Sequence, residues 1–147
     1  MKDALEGFRS VIERATGKLA QISEAESSLI PAPGKWSRKQ TLGHLIDSAA
    51  NNHQRFVRAQ LESPLHFPGY AQEQWVEAQN YQQESWGYLV GCWAGCNRHL
   101  LHVIAQIPAE KLTRLCVIGG SAPVTLEFLA KDYVRHLEHH LAQIFGQ

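Results

Sequence analysis

Charge of one sign is what this sequence lacks most clearly: 14 Lys and Arg are balanced by 14 Asp and Glu, for a formal net charge of +0. Phosphate neutralisation needs a surplus of Lys and Arg, so the balance argues against nucleic acid as a partner. No stretch approaches the roughly 18 consecutive apolar residues of a membrane span, which argues against a membrane partner. The opening Met1-Lys2-Asp3-Ala4-Leu5-Glu6 sets carboxylates where a signal peptide carries a basic and then an apolar segment, and a cytoplasmic location is expected. Cysteine is sparse too. Cys92, Cys96 and Cys116 are an odd number and too few for a disulfide framework, so they read as reduced thiols. Alternating β-branched segments, repeats and low-complexity tracts are absent. The one skewed count is histidine, at 8.

What is present is helical periodicity. The 147 residues suit a single domain, 1–147, burying about two thirds of its unfolded surface. A first helix is predicted from about residue 2 to 27, with Leu5, Phe8, Val11, Ile12, Leu19 and Ile22 on one side, before Pro31, Pro33 and Gly34. A second opens at Ser37, where Ser37-Arg38-Lys39-Gln40 fits a capping box, and runs to about Leu61. A third is predicted over Gln72 to Gln106, then a long connection over 109–124 containing Gly119, Gly120 and Pro123. Thr125 caps a fourth helix running to about Phe145. The expected fold is therefore all-α, a four-helix bundle.

The histidines divide unevenly along these helices. On the fourth, Leu126, Leu129, Tyr133, Leu137, Leu141 and Ile144 form an apolar stripe; His140 falls inside it, His136 on its flank and His139 on the far side. Imidazoles at i and i+4 can reach one divalent ion, which makes His136 and His140 half of a site. The segment is not the zinc-protease signature, because Leu137 stands where that motif has Glu. No Glu has His three residues later, so a ferritin-like di-iron site is unsupported. On the second helix His44 heads a polar stripe with Asp47, Asn51, Arg55 and Arg58, opposite Leu42, Leu45, Ala49 and Phe56. Such a stripe either faces water or lines a cleft in which His44 is the third ligand and Asn51 and Arg55 contact substrate. His53 reads as a core residue, His66 as a loop residue, and His99 and His102 as exposed. Cys92 and Cys96, and Trp75, Trp86 and Trp93, read as packing residues.

Beyond periodicity, a longer pattern stands out. Lys35-Trp36-Ser37, Thr41-Leu42-Gly43-His44-Leu45-Ile46-Asp47-Ser48-Ala49 and Asn51-Asn52-His53-Gln54-Arg55-Phe56, with Trp93 to Asn97 and the ending Asp132 to His140, resemble the DinB-like superfamily of damage-inducible, YfiT-type proteins. The resemblance extends from about Pro33 to Ile144. It implies a four-helix bundle with long crossover connections, often a homodimer. It also implies a divalent ion, zinc or nickel, held by three histidines, and the matching positions are His44, His136 and His140. Relatives include thiol S-transferases and a thiol-dependent isomerase, so a small-molecule substrate such as a low-molecular-weight thiol is implied. Arg55 would then anchor an anionic group and Asn51 would orient the ligand. Two functions follow as expectations: a metal-dependent thiol S-transferase or hydrolase, with no general base identifiable, or a non-catalytic metal-binding stress-response protein.

Overall fold

Side chains that satisfy free backbone N–H groups decide where the main helices begin, and loops rich in Pro and Gly decide where they separate. The computed structural model describes residues 1–147 and runs α1 (Lys2–Ala20), α2 (Glu24–Ser28), α3 (Arg38–Arg58), β1 (Leu65–Phe67), α4 (Gln72–Gln79), α5 (Trp86–Ala105), β2 (Leu115–Ile118), β3 (Val124–Thr125) and α6 (Leu126–Ile144). The capping box is formed ahead of α3: Ser37 Oγ accepts from the Gln40 amide, and Gln40 Oε1 accepts from Ser37 N–H at 2.9 Å. Thr125 Oγ1 accepts from Phe128 N–H to start α6.

The long helices α1, α3, α5 and α6 form a four-helix bundle in which α1 packs on α5 and α6, and α3 packs on the same two. Consecutive α1 and α3 therefore lie across a diagonal, as do α5 and α6, and the chain connects them by long crossovers. The α1–α5 seam is apolar, built from Phe8, Ile12 and Leu19 against Leu89, Trp93 and Leu100, each at most 2% exposed. Trp86 Nε1 donates to Leu19 O at 2.9 Å, fixing the end of α1 against the start of α5. At the opposite corner, Arg38 Nε donates to Ile144 O at 2.9 Å, which sets the start of α3 against the end of α6 and makes that pair antiparallel.

Two expectations need correction. The predicted first helix stops at Ala20, and Ser23 caps the separate single turn of α2. The predicted third helix is two helices, broken at Asn80, which is left-handed with φ 49° and ψ 50°. Asn tolerates that region because its short polar side chain bonds locally, and Ser85 restarts the helix as the α5 cap. The connection over 109–124 also contains structure that helical periodicity does not register. β1 pairs parallel with β2, Leu65 opposite Cys116, and β2 pairs antiparallel with β3. This small sheet ties the α3–α4 connection to the α5–α6 connection. Gly119, at φ +59°, donates its N–H to Phe67 O at 2.9 Å, and a Cβ there would approach Gly69 N to 3.3 Å, so glycine is required by both conformation and contact. No helix is long and apolar enough to cross a membrane.

Candidate metal centre and adjoining cavity

Antiparallel pairing of α3 with α6 carries His44, near the start of one helix, to His136 and His140, near the end of the other. Their Nε2 atoms converge: His44 to His136 is 3.4 Å and His136 to His140 is 3.1 Å. The three ligand atoms lie within 4.8 Å of one another, and no cysteine or carboxylate joins the group. A tetrahedral ion at about 2.0–2.1 Å from each nitrogen would separate its donors by roughly 3.3–3.4 Å, close to the two spacings that involve His136. His140 Nδ1 lies 2.9 Å from Gln143 Oε1, which leaves its Nε2 lone pair facing the cluster when Nδ1 carries the proton. Trp36 walls the other side, its ring 5.3 Å from that of His44.

Electrostatics favour the neutral, metal-competent form. His44 is fully buried, and burial, reinforced by the charges that His140 and His136 would carry, lowers its pKa to about 4. Burial likewise lowers His136 and His140, with His140 further opposing a proton on His136. Three uncharged imidazoles are the state a metal requires.

The polar stripe of α3 is solvated only at its far end, where Arg58 is exposed and Arg55 half-buried. His44, Asp47, Ser48, Asn51 and Asn52 are all buried. Asp47 Oδ1 accepts from the Tyr81 hydroxyl at 2.6 Å and from Gln79 Nε2 at 2.7 Å. Burial raises the Asp47 pKa against the pull of these two donors. Its Oδ2 and the His44 Nδ1, one helical turn away, have no hydrogen-bond partner. The break at Asn80 is what turns Tyr81 inward, and its ring lies over Gly43, where a Cβ would come within 2.2 Å of it. Glycine beside His44 is thus a packing requirement.

Further along the same stripe, His136 helps to line a cavity of about 380 Å³ with Arg55, Tyr70, Asn52 and Asp132 among its walls. The sheet supplies part of the enclosure, since Gly69, Ile118 and Gly119 also line it. Of the two residues read as substrate contacts, Arg55 reaches this cavity. Asn51 does not line it: it is buried and donates Nδ2 to Asp47 O at 2.9 Å. Its neighbour Asn52 does line the cavity, as do Tyr70 and Asp132, none of which sequence reasoning singled out as a contact. A tyrosine behind Pro68-Gly69 in a loop offers no periodic signal, because its position depends on the sheet.

The remaining histidines stay apart from this centre. His53 is half-buried with its ring 5.1 Å from that of exposed His99, and His102 and His139 are exposed. His66 sits on β1 rather than in a loop. Trp86 and Trp93 are core residues, whereas Trp75 is 40% exposed. All three cysteines are free.

A four-helix bundle with diagonal crossovers and three converging imidazoles defines the class. The DinB superfamily model matches residues 4–144, and the chain belongs to that superfamily. It is similar in fold to YfiT from Bacillus subtilis, reported as a probable metal-dependent hydrolase with an unusual four-helix bundle topology, at TM-score 0.82 and 21% identity over 99% of this chain and 86% of that one. A mutant of the mycothiol-dependent maleylpyruvate isomerase matches at TM-score 0.78 and 13% identity over 97% of this chain, and another structure of that isomerase at 0.71, 14% and 95%. The chain spans 60% of the isomerase's length in both. No curated protein matches the sequence.

Proposed function

We propose that the protein is a divalent-metal-dependent enzyme acting on a small molecule, a thiol S-transferase or a hydrolase, with His44, His136 and His140 as the ligands of zinc or nickel. The observation that carries this reading is the convergence of three buried or half-buried Nε2 atoms beside a cavity, with no fourth protein donor in the group. Three protein ligands leave a coordination position for water or substrate, whereas structural sites are closed by a fourth. An ion there supplies Lewis acidity that makes a thiol or a water nucleophilic near neutral pH.

The chain's own residues have distinct parts. Gln143 Oε1, 2.9 Å from His140 Nδ1, is placed to accept its proton in the tautomer that presents Nε2. Trp36 shields the His44 ring from solvent. Arg55 offers the cationic anchor on the cavity wall, and Asn51 acts from behind it by stiffening the turn of α3 that carries Asp47. The thiol chemistry of the similar isomerase supports a low-molecular-weight thiol as one substrate.

Elemental analysis of untagged protein after dialysis tests the centre. Close to one equivalent of metal is expected, falling to background in His136→Ala, and a metal-free wild-type protein would defeat the reading. Assays of the metal-loaded protein against thiols with supplied electrophiles, and against hydrolysable esters and amides, then separate transferase from hydrolase. Inactivity towards both, with metal bound, would point to a metal-binding protein without catalysis.

A further inference from the structure

The cavity beside His136 has an uncommon charge arrangement. Arg55 and Asp132 line it together, and no other Lys, Arg, Asp or Glu does. Arg55 takes part in no ion pair, and its Nε is sequestered without a hydrogen-bond partner. Its guanidinium rests 5.5 Å from the Phe67 ring centre, which supports the cation but does not neutralise it. A half-buried cation with an unsatisfied N–H is costly unless an anion arrives to meet it.

Asp132 faces the same space from the opposite helix. Its one partner is Arg135, three residues on and 80% exposed, and an exposed pair of that kind holds a carboxylate only weakly. Arg55 and Asp132 do not pair with each other, although they share the cavity. The other polar walls, among them Ser48, Asn52, Gln72 and Ser121, are uncharged. A lone anion would meet Asp132, and a lone cation would meet Arg55. A molecule bearing both charges satisfies both walls.

Resting on the metal-site reading above, we propose that the substrate of this site is a small dipolar molecule, carrying an anionic group bound by Arg55 and an ammonium bound by Asp132, of the amino-acid or short amino-acid-conjugate class. The cavity, at about 380 Å³, is at the small end of ligand pockets, which suits such a molecule. Asp132 precedes His136 by one turn of α6, so the ammonium end lies on the side of the histidine cluster, and a reactive group near it is directed to the metal.

Calorimetric titration of the full chain, in metal-free and zinc-loaded forms at low ionic strength, tests this with glycine, β-alanine, 4-aminobutyrate, propionate and propylamine. At least one of the three zwitterions should bind about tenfold more tightly than both propionate and propylamine, a difference of roughly 1.4 kcal/mol. Arg55→Gln should abolish zwitterion and propionate binding, and Arg55→Lys should restore part of it, showing that charge and not folding was lost. Asp132→Asn should reduce the preferred zwitterion to the affinity of propionate. Propionate binding as tightly as every zwitterion, Asp132→Asn leaving the zwitterion unchanged, or no probe binding either form, would each overturn the proposal. Zinc content is measured on the same samples. Zinc bound without zwitterion preference overturns this inference alone, and zwitterion preference without zinc overturns the metal reading alone.

Discussion

Two seams on opposite sides of the bundle, α1–α5 and α3–α6, are built on different principles. Between α1 and α5 the buried surface is hydrocarbon and indole: Phe8, Ile12, Leu19, Leu89 and Trp93 pack with almost no exposure, the hydrogen bond from Trp86 to Leu19 O closes one end, and a single indole N–H, Trp93 Nε1, is left without a partner. On α3 the same depth of burial holds His44, Ser48 and Asn52 towards α6 and Asp47 towards Tyr81, and leaves His44 Nδ1 and Asp47 Oδ2 unpartnered. Burying polar groups without full satisfaction weakens a fold, whereas apolar burial strengthens it. One seam therefore carries stability, and the other uses it to hold groups ready for a ligand.

The largest contrast is expected in acid. Ligation by ordinary histidines would release metal as pH falls through about 6.5. Here burial lowers all three imidazoles, His44 to about 4, so protons compete less and retention should extend below pH 6 before complete loss. Dialysis at stepped pH with metal analysis reads the midpoint, and a midpoint at 6.5 or above would break the comparison. Without metal the sign is fixed as well. The folded pKa of His44 lies below its unfolded value of about 6.5, so the unfolded chain binds more protons between pH 6.5 and 4 and stability is lost as pH falls through that window.

On the apolar side, Leu19→Ala should cost about 2–5 kcal/mol in urea unfolding, with metal bound per folded molecule unchanged. Parallel loss of metal capacity would mean the seams are not separable. Gly43→Ala should cost about 1–3 kcal/mol by forcing Tyr81 from its place, since the added carbon meets its ring at 2.2 Å. Unlike Leu19→Ala, it should also weaken metal binding, because the displaced ring releases Asp47 beside His44. Smallest is Ser37→Ala, which removes one half of the capping box and the hydroxyl's bond to Gln82 Oε1 and should lower stability by about 1–2 kcal/mol with the site intact.

How much of this was legible in the sequence follows from the range of each interaction. The Ser37 capping box, the Thr125 cap and the apolar stripe of α6 are local patterns, and they appear where periodicity and cap chemistry place them. The His136–His140 pair is legible for the same reason, while His44 as the third member needed the resemblance to DinB-like proteins. What escaped is nonlocal or conformational. The break at Asn80 depends on one residue adopting a left-handed backbone inside an otherwise helical pattern. β1 and β3 are three and two residues long, too short for alternation to register, and the partner of β1 lies far away in the chain. Tyr70 and Asp132 reach the cavity only because the sheet and the α3–α6 pairing bring them there, so their residue types alone gave no hint.

The diagonal connections have a kinetic consequence. Neither of the two seams joins neighbours in sequence: Leu19 meets Trp86 across 67 positions, and Arg38 meets Ile144 across 106. Of the consecutive long helices only α3 and α5 pack on each other, so assembly cannot proceed hairpin by hairpin throughout, as in an up-and-down bundle. Each seam requires closing a long loop before packing offsets the entropy lost, which raises contact order and slows refolding relative to bundles of the same size. Since the α3–α6 seam spans the longer separation, the ability to bind ligand belongs to a late-closing part of the chain, and a ligand-binding signal in a refolding experiment reports completion of the bundle, not its collapse.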